Sequence, residues 1–295
     1  MRFKQQTGFK ELNLQTPQVM GVLNVTPDSF SDGGRFYQAN GNGITAAVDH
    51  AERMIEQGAS FIDIGGESTR PGASPVPLQQ ELDRVIPVVE KVAAKLDCII
   101  SVDSSSPQLM TEAAGAGAGL LNDVRAFQRD GALEAAAASG LPMCLMHMRG
   151  EPETMQLQPT YASVLEEVRG FLVARVKCCE AANINSDRLL IDPGFGFGKT
   201  LSHNIQLLNG LEQLRIGSIP LLVGLSRKSM IGAMLASAAG PRDVADRLYG
   251  GLALATIAVM NGASIIRSHD VGATSDALRV AHQVSLAAGA ESGVE

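Results

Sequence analysis

A chain of 295 residues is long enough for one large domain or two ordinary ones, and 45% apolar with 19% charged residues describes a globular protein with a sizeable core. A net charge of -7 argues against a general nucleic-acid or anionic-membrane surface, because both need clustered Lys and Arg; an anionic substrate would have to find local basic residues. Cys98, Cys144, Cys178 and Cys179 have neither CxxC spacing nor the density of a disulfide scaffold, which predicts reduced, mostly core thiols in a soluble, cytoplasmic protein.

In chain order, Arg2 to Leu14 has Thr7 and Gly8 between extended-looking arms, a short hairpin expected to plug or cap something. The segment lacks the apolar centre of a signal peptide, and no later run approaches the roughly 18 apolar residues of a membrane span. Val19 to Leu23 suits a strand buried on both faces, ending at Asn24 in a loop, Thr26 to Gly34, of turn formers, hydroxyls and carboxylates. Helical spacing over Ile44 to Ile55 stops at Gly58; Ser60 to Ile64 then leads into Gly65, Gly66 and the loop ESTRPGASP. Leu78 to Val92 is an amphipathic helix in which Pro87 should cause a kink or a new turn.

The alternation continues to the end. Strands are expected at 98–102, 119–121, 142–146, 188–191, 220–225 and 264–266, with helices at 107–118, 130–139, 161–182, 204–214 and 243–260 and a last one closing the chain. Eight strand-loop-helix units with no low-complexity linker predict a parallel sheet closed as one (β/α)8 TIM barrel, a single domain over residues 1–295 with a hairpin at 1–16 and a disordered tail at 290–295. A doubly wound open sheet is the rival architecture.

Active sites of such barrels lie at the C-terminal face, so the first polar residues after each strand are the candidates. Asn24, Asp63, Asp103, Asn122, His147, Asp192, Lys228, Arg267 and His269 all fall there. One Asp in such a position is commonly a helix cap; several on one rim suggest a site. Asp103 and Asp192 with Asn122 suit a polar heterocycle that offers N–H donors, since an ionised carboxylate accepts two hydrogen bonds side by side. Arg267 and His269, two residues apart, point to one side of an extended strand, where with Lys228 they could hold a phosphate or diphosphate; a structural ion pair is the other reading of Arg267. Ser226 to Ser229 follows a strand and should open a helix able to favour an anion.

PGFGFGKT at Pro193 to Thr200 is not a nucleotide P-loop, because Gly194 to Gly198 leaves one residue too few before Gly-Lys-Thr. GAGAG at Gly115 to Gly119 lies between helix and strand and is better explained by tight packing than by a dinucleotide fingerprint. His147 is either a base or part of a structural loop. Without a His/Cys cluster of transition-metal spacing, any metal is expected to be Mg²⁺ on one oxygen ligand and substrate phosphates, with Asn24 the candidate.

The motifs NVTPDSFSDGG from Asn24, GGESTRPGA from Gly65, SVDSS from Ser101, NDVRAF from Asn122, LMHM from Leu145, DPGFGFGK from Asp192, GLSRKSMIG from Gly224 and IIRSHDV from Ile265 make the chain similar to the bacterial dihydropteroate synthase family over nearly its whole length. The resemblance implies a (β/α)8 barrel that joins 7,8-dihydropterin-6-ylmethyl diphosphate to 4-aminobenzoate, releasing diphosphate and 7,8-dihydropteroate, with sulfonamides imitating the aminobenzoate. It implies Asp103, Asn122, Asp192 and Lys228 for the pterin, Asn24 for Mg²⁺, and Arg267 and His269 for diphosphate. It also implies Thr69, Arg70, Pro71 and Ser226 around the aminobenzoate, Phe30 and Asp32 on a closing loop, and Met146, Phe197 and Gly224 among the substrate-binding positions. A homodimer is implied as well. Ser104 and Ser106 stand where the family usually has Thr and a basic residue, and Ser268 where it usually has an apolar one, which puts local charge in question. The rivals are a pterin-binding methyltransferase domain and a non-catalytic pterin-binding or scaffold protein; STRPG and SRKS speak against the first, and Asn24, Arg267 and His269 together against the second.

Overall fold

The computed structural model of the chain describes residues 1–5, 8–26, 42–67, 76–151, 155 and 159–291. An antiparallel hairpin of β1 (Arg2–Gln5) and β2 (Gly8–Glu11) comes first. The strands β3 (Gln18–Asn24), β4 (Ala59–Gly65), β5 (Ile99–Asp103), β6 (Leu120–Asp123), β7 (Met143–Met146), β8 (Leu189–Asp192), β9 (Leu222–Gly224) and β10 (Ile265–Ser268) follow. They pair in parallel in the order β8-β7-β6-β5-β4-β3-β10-β9. A parallel bridge between Ile191 and Leu221 joins the two ends, closing the (β/α)8 barrel. The open sheet is thereby excluded.

Helices α1 (Asn42–Glu56), α2 (Leu78–Lys95), α3 (Pro107–Ala116), α4 (Ala132–Ser139) and α5 (Val164–Ala181) cover the first strands. The outer ring continues with α6 (Leu201–Asn209), α7 (Ser229–Met234), α8 (Leu248–Met260) and α9 (Val271–Glu291); residues 292–295 of the expected tail lie outside the described residues. Ser106, Ser163 and Thr200 cap α3, α5 and α6, each side-chain oxygen accepting from a backbone N–H three residues on; such a cap contributes about 1 kcal/mol. Ser106 thus has a structural task of its own.

Three boundaries differ from expectation. The helix α2 runs unbroken through Pro87, because Leu82, Val85, Val88, Val89 and Val92 bury an apolar stripe on both sides of it and outweigh a local cost of about 3 kcal/mol. The expected helix at 204–214 begins earlier and is cut at Gly210, with a 3-10 turn over Leu211–Leu214. Likewise a 3-10 turn, Val244–Asp246, precedes α8.

Strand alternation divides the core in two. Val19, Leu23, Ile62, Ile64, Ile100 and Val102 face outward to the helices. Inside, one residue from each strand forms a single apolar layer: Met20, Phe61, Ile99, Leu120, Cys144, Leu190, Leu222 and Ile265. Phe3 and Leu12 of the hairpin segment pack into the same layer, and the Phe3 ring meets Phe61 edge-on at 5.0 Å. The hairpin therefore plugs the N-terminal end of the barrel. At the outer face, an added Cβ at Gly21 would lie 2.7 Å from the Met54 sulfur, so the glycine lets α1 approach β3. Gly117, with φ +117 and an added Cβ 2.7 Å from that of Ala93, explains the glycine run at 115–119 as tight packing.

Candidate active site

Above the apolar layer the inward positions turn polar. Two residues on from Phe61, Ile99, Leu120, Leu190 and Ile265 come Asp63, Ser101, Asn122, Asp192 and Arg267, and Asn24 and Asp103 follow at the mouth. The period of two thus stacks chemistry on a hydrophobic floor.

Asp63 is the centre of this layer. It is 0% exposed, accepts from Arg267 Nε at 2.6 Å and from Ser101 Oγ at 2.5 Å, and lies 3.4 Å from Asn122 Nδ2. Arg267 Nη2 donates to Asp103 at 3.2 Å. One guanidinium between two carboxylates leaves a negative charge over. Burial and the Asp63 charge push the Asp103 carboxyl up to about 8 against the opposing pull of Arg267.

Asp192 faces the other side of the mouth. Its Oδ1 accepts from Gly194 N at 2.7 Å, and burial raises its carboxyl despite that bond and the Lys228 charge. The ammonium of Lys228 donates to Phe195 O and stands 4.5 Å from the Phe197 ring centre. Burial brings it down to about 8, Asp192 pulling the other way. Arg267 in β10 and His269, the first residue beyond it, behave differently. Arg267 turns down to the carboxylates, whereas His269 sits by Ser226 Oγ, with its Nδ1 at 3.1 Å and its backbone N donating at 3.2 Å. Ser268 points the other way, to Thr274 Oγ1 at 2.8 Å, so its hydroxyl replaces an apolar contact without entering the mouth.

The structure therefore brings Asp103, Asn122, Asp192, Lys228, Arg267, His269 and Ser226 to one rim. Asn24 ends β3 beside Gly65, Met146 lies buried beside Gly194, and an added Cβ at Gly224 would touch Arg267 at 3.7 Å. Thr69, Arg70, Pro71, Phe30 and Asp32, and with them the closing loop after Thr26, lie outside the described residues. The helix after Ser226 is only the six residues of α7, and Lys228 at its N-cap makes no side-chain cap. Arg227 holds that turn with φ +60, paired with Asp270 at 2.6 and 3.1 Å. Among the described residues no three His, Cys, Asp or Glu side chains could form a metal cage.

His147 resolves as structural. It is buried, its Nδ1 faces Lys199 Nζ at 3.0 Å, and burial with the nearby Lys199 and Arg149 charges drives it down to about 3. Three amides of the glycine loop are turned inward, Gly194 N on Asp192, Gly196 N on Asn204 Oδ1 and Phe197 N on Gly194 O, which is not the outward-facing cradle of a nucleotide P-loop. Two residues gain weight over the sequence reading. Asp63 stood among the strand-end residues without a role of its own, and Lys199 was only the end of a motif.

A family model described as pterin binding enzyme matches residues 20–269. The dihydropteroate synthase of Escherichia coli (strain K12) is 54% identical over 269 residues, 91% of this chain and 92% of that one. Among solved structures, the Yersinia pestis dihydropteroate synthase with a sulfonamide drug complex superposes with a TM-score of 0.88 at 49% identity, covering 97% of this chain and 99% of that one. The Xanthomonas albilineans enzyme with 4-aminobenzoic acid gives 0.86 at 46% identity, covering 96% and 98%. A barrel whose mouth gathers carboxylates, an amide and a buried lysine, matched at this level along nearly its whole length, belongs to the dihydropteroate synthase family of pterin-binding enzymes.

Proposed function

We propose that this mouth joins 7,8-dihydropterin-6-ylmethyl diphosphate to 4-aminobenzoate in folate synthesis, and that the two halves of the rim divide the work. The observation that carries the reading is that one loop holds both Asp192, through Gly194 N, and Lys228, through Phe195 O, at the mouth that Asp103 and Asn122 share. A pterin presents N–H donors and a carbonyl on one edge; carboxylates accept from the former and the ammonium donates to the latter. Arg267 spends two of its five donors on Asp63 and Asp103 and keeps others for diphosphate oxygens. His269 and Ser226 share the same side, His269 toward the diphosphate and Ser226 toward the aminobenzoate, whose further contacts at Thr69, Arg70 and Pro71, with Phe30 and Asp32 above, are part of this reading.

An aniline nitrogen is a weak nucleophile, which favours a dissociative substitution. The methylene C–O bond breaks first, its electrons leaving with diphosphate; acidic groups at the pterin end stabilise the cation; the amine nitrogen then attacks the methylene carbon and loses a proton. Mg²⁺ belongs to this proposal: the Asn24 amide oxygen at a strand end, together with substrate oxygens, is a donor set suited to it. When bound it neutralises charge developing on the diphosphate. Arg267 and His269 act on that same charge.

Two copies of the chain are proposed to pair. The packed helices α8 and α9 leave Ile257, Met260, Val280, Val284 and Leu286 exposed, and Ser285 meets Met260 at 3.2 Å, so the two stripes adjoin as one apolar patch. A cytoplasmic setting fits the four free cysteines, and no described helix is long and apolar enough to cross a membrane. The test of the main reading is turnover: purified protein with Mg²⁺, the pterin diphosphate and aminobenzoate yields dihydropteroate. Pterin binding without product would overturn it.

A further inference from the structure

We propose that Lys199 is a positioning residue for the pterin pocket, its buried ammonium drawing together the carbonyls of the 193–198 loop and the ring of His147 so that Asp192 and Lys228 are aimed at the substrate. The inference rests on the reading of Asp192 and Lys228 as pterin-binding groups.

Lys199 is 3% exposed. Burial pulls its ammonium well below the ordinary lysine range, the Asp192 charge opposing, and an ammonium so deep keeps its charge only where each proton has an acceptor. Nζ has three protons, and three acceptors stand nearest: Gly194 O at 2.8 Å, Phe197 O at 3.0 Å and His147 Nδ1 at 3.0 Å. For Nδ1 to accept, His147 must be neutral and carry its proton on Nε2, in keeping with its low affinity for a second proton. The loop can wrap the ammonium because Gly194, Gly196 and Gly198 all take positive φ, and an added Cβ at Gly194 would lie 1.9 Å from His147 O.

That wrapped loop supplies the pocket with three contacts. Gly194 N donates to Asp192, Phe195 O accepts from Lys228, and the Phe197 ring lies under the same ammonium. Removing the Lys199 charge frees the carbonyls that define the loop, and those three contacts lose their fixed origin. Lys199 acts on substrate only through them.

The test is calorimetry of 6-hydroxymethyl-7,8-dihydropterin binding to the full chain, alongside steady-state kinetics. Lys199→Met should weaken pterin binding about tenfold, the size of one lost charged hydrogen bond. The KM for the pterin diphosphate should rise in step while that for aminobenzoate stays within twofold. A purely structural role would lower the active fraction, and hence apparent kcat, with Kd and KM unchanged; that result overturns the proposal. Should Lys199→Met not fold, the His147 pair decides: His147→Leu removes one acceptor and should weaken pterin at least about threefold, whereas His147→Asn, which can offer Oδ1 in place of Nδ1, should retain it. Equal affinity of those two variants refutes the proposal. Lys228→Met separates the two readings. Unchanged pterin affinity in that variant refutes the pocket itself, while loss there with wild-type affinity in Lys199→Met refutes the Lys199 inference alone.

Discussion

Replacing Arg267 by Met should destabilise the fold as well as impair the site, because the guanidinium compensates a carboxylate that has no access to water. Asp63 is 0% exposed and 2.6 Å from Arg267 Nε; without the cation it keeps only Ser101 and the longer approach of Asn122. Opposite charges about 4 Å apart at an effective dielectric of 20 attract by about 4 kcal/mol, and removing one partner of a buried pair costs about 3–5 kcal/mol. At about 2 °C per kcal/mol for a chain of this size, the midpoint should fall by roughly 6–10 °C. Asp63→Asn should cost less, about 1–3 kcal/mol, because Arg267 retains Asp103 at 3.2 Å. The double variant should be milder than the sum by at least about 1.5 kcal/mol. Urea unfolding of the four proteins at one pH measures the cycle. A cost below about 1 kcal/mol for Arg267→Met, or additivity within about 0.5 kcal/mol, would refute the reasoning.

Glu81 in the first turn of α2 is 5% exposed and its Oε1 has no hydrogen-bond partner among the described residues; burial raises its pKa, the hydrogen bond from Ser104 opposing. A carboxyl raised in the fold stabilises below its unfolded value and loses that contribution as pH rises through the folded one. Glu81→Gln should therefore raise the midpoint by about 2 °C at pH 8 and flatten its fall as pH rises above the ordinary carboxylate range; thermal melts that stay parallel to the parent would count against this. Pterin affinity should decline above pH about 8, where Lys228 loses its proton, and Lys228→Met should remove that limb from a calorimetric pH series; Asp103, whose carboxyl is also raised to about 8, is the control, and Asp103→Asn should leave the limb in place. Phe3→Ala should cost about 3 kcal/mol through the void left against Phe61, read by urea unfolding, while KM values remain unchanged. Val280→Glu should convert a dimer to monomer in sedimentation, and a parent that sediments as a monomer would end that proposal.

Much of the barrel is written in the chain as a period of two. Phe61-x-Asp63, Ile99-x-Ser101-x-Asp103 and Ile265-x-Arg267-x-His269 each announce a strand that is apolar below and polar above, so Asp103, Asp192, Arg267 and His269 are readable as mouth residues. Their partners are not. Arg267 and Asp63 stand 204 residues apart, and which strand follows which around the ring is a tertiary fact, so the downward turn of Arg267 away from His269 has no local sign. Lys199 hides for a related reason: a lysine after glycines looks like a solvent loop until the positive φ values wind the carbonyls onto it. Helix ends are hard to read where a glycine or a 3-10 turn divides one apolar run, as at Gly210. Pro87 does not end α2, because a broad buried stripe tolerates one missing backbone bond.

The ring of strands is stitched shut between β8 and β9 by the bridge of Ile191 to Leu221, whereas β3 and β4 are zipped over six residue pairs. Asp192 stands on one lip of that seam and Lys228 just beyond the other. A ligand held by both residues, as proposed above, would span the join with the fewest described strand pairs and brace it from outside the backbone. Amide exchange along β8 and β9, already slowed by their pairing with β7 and β10, should then slow further when the ligand is bound.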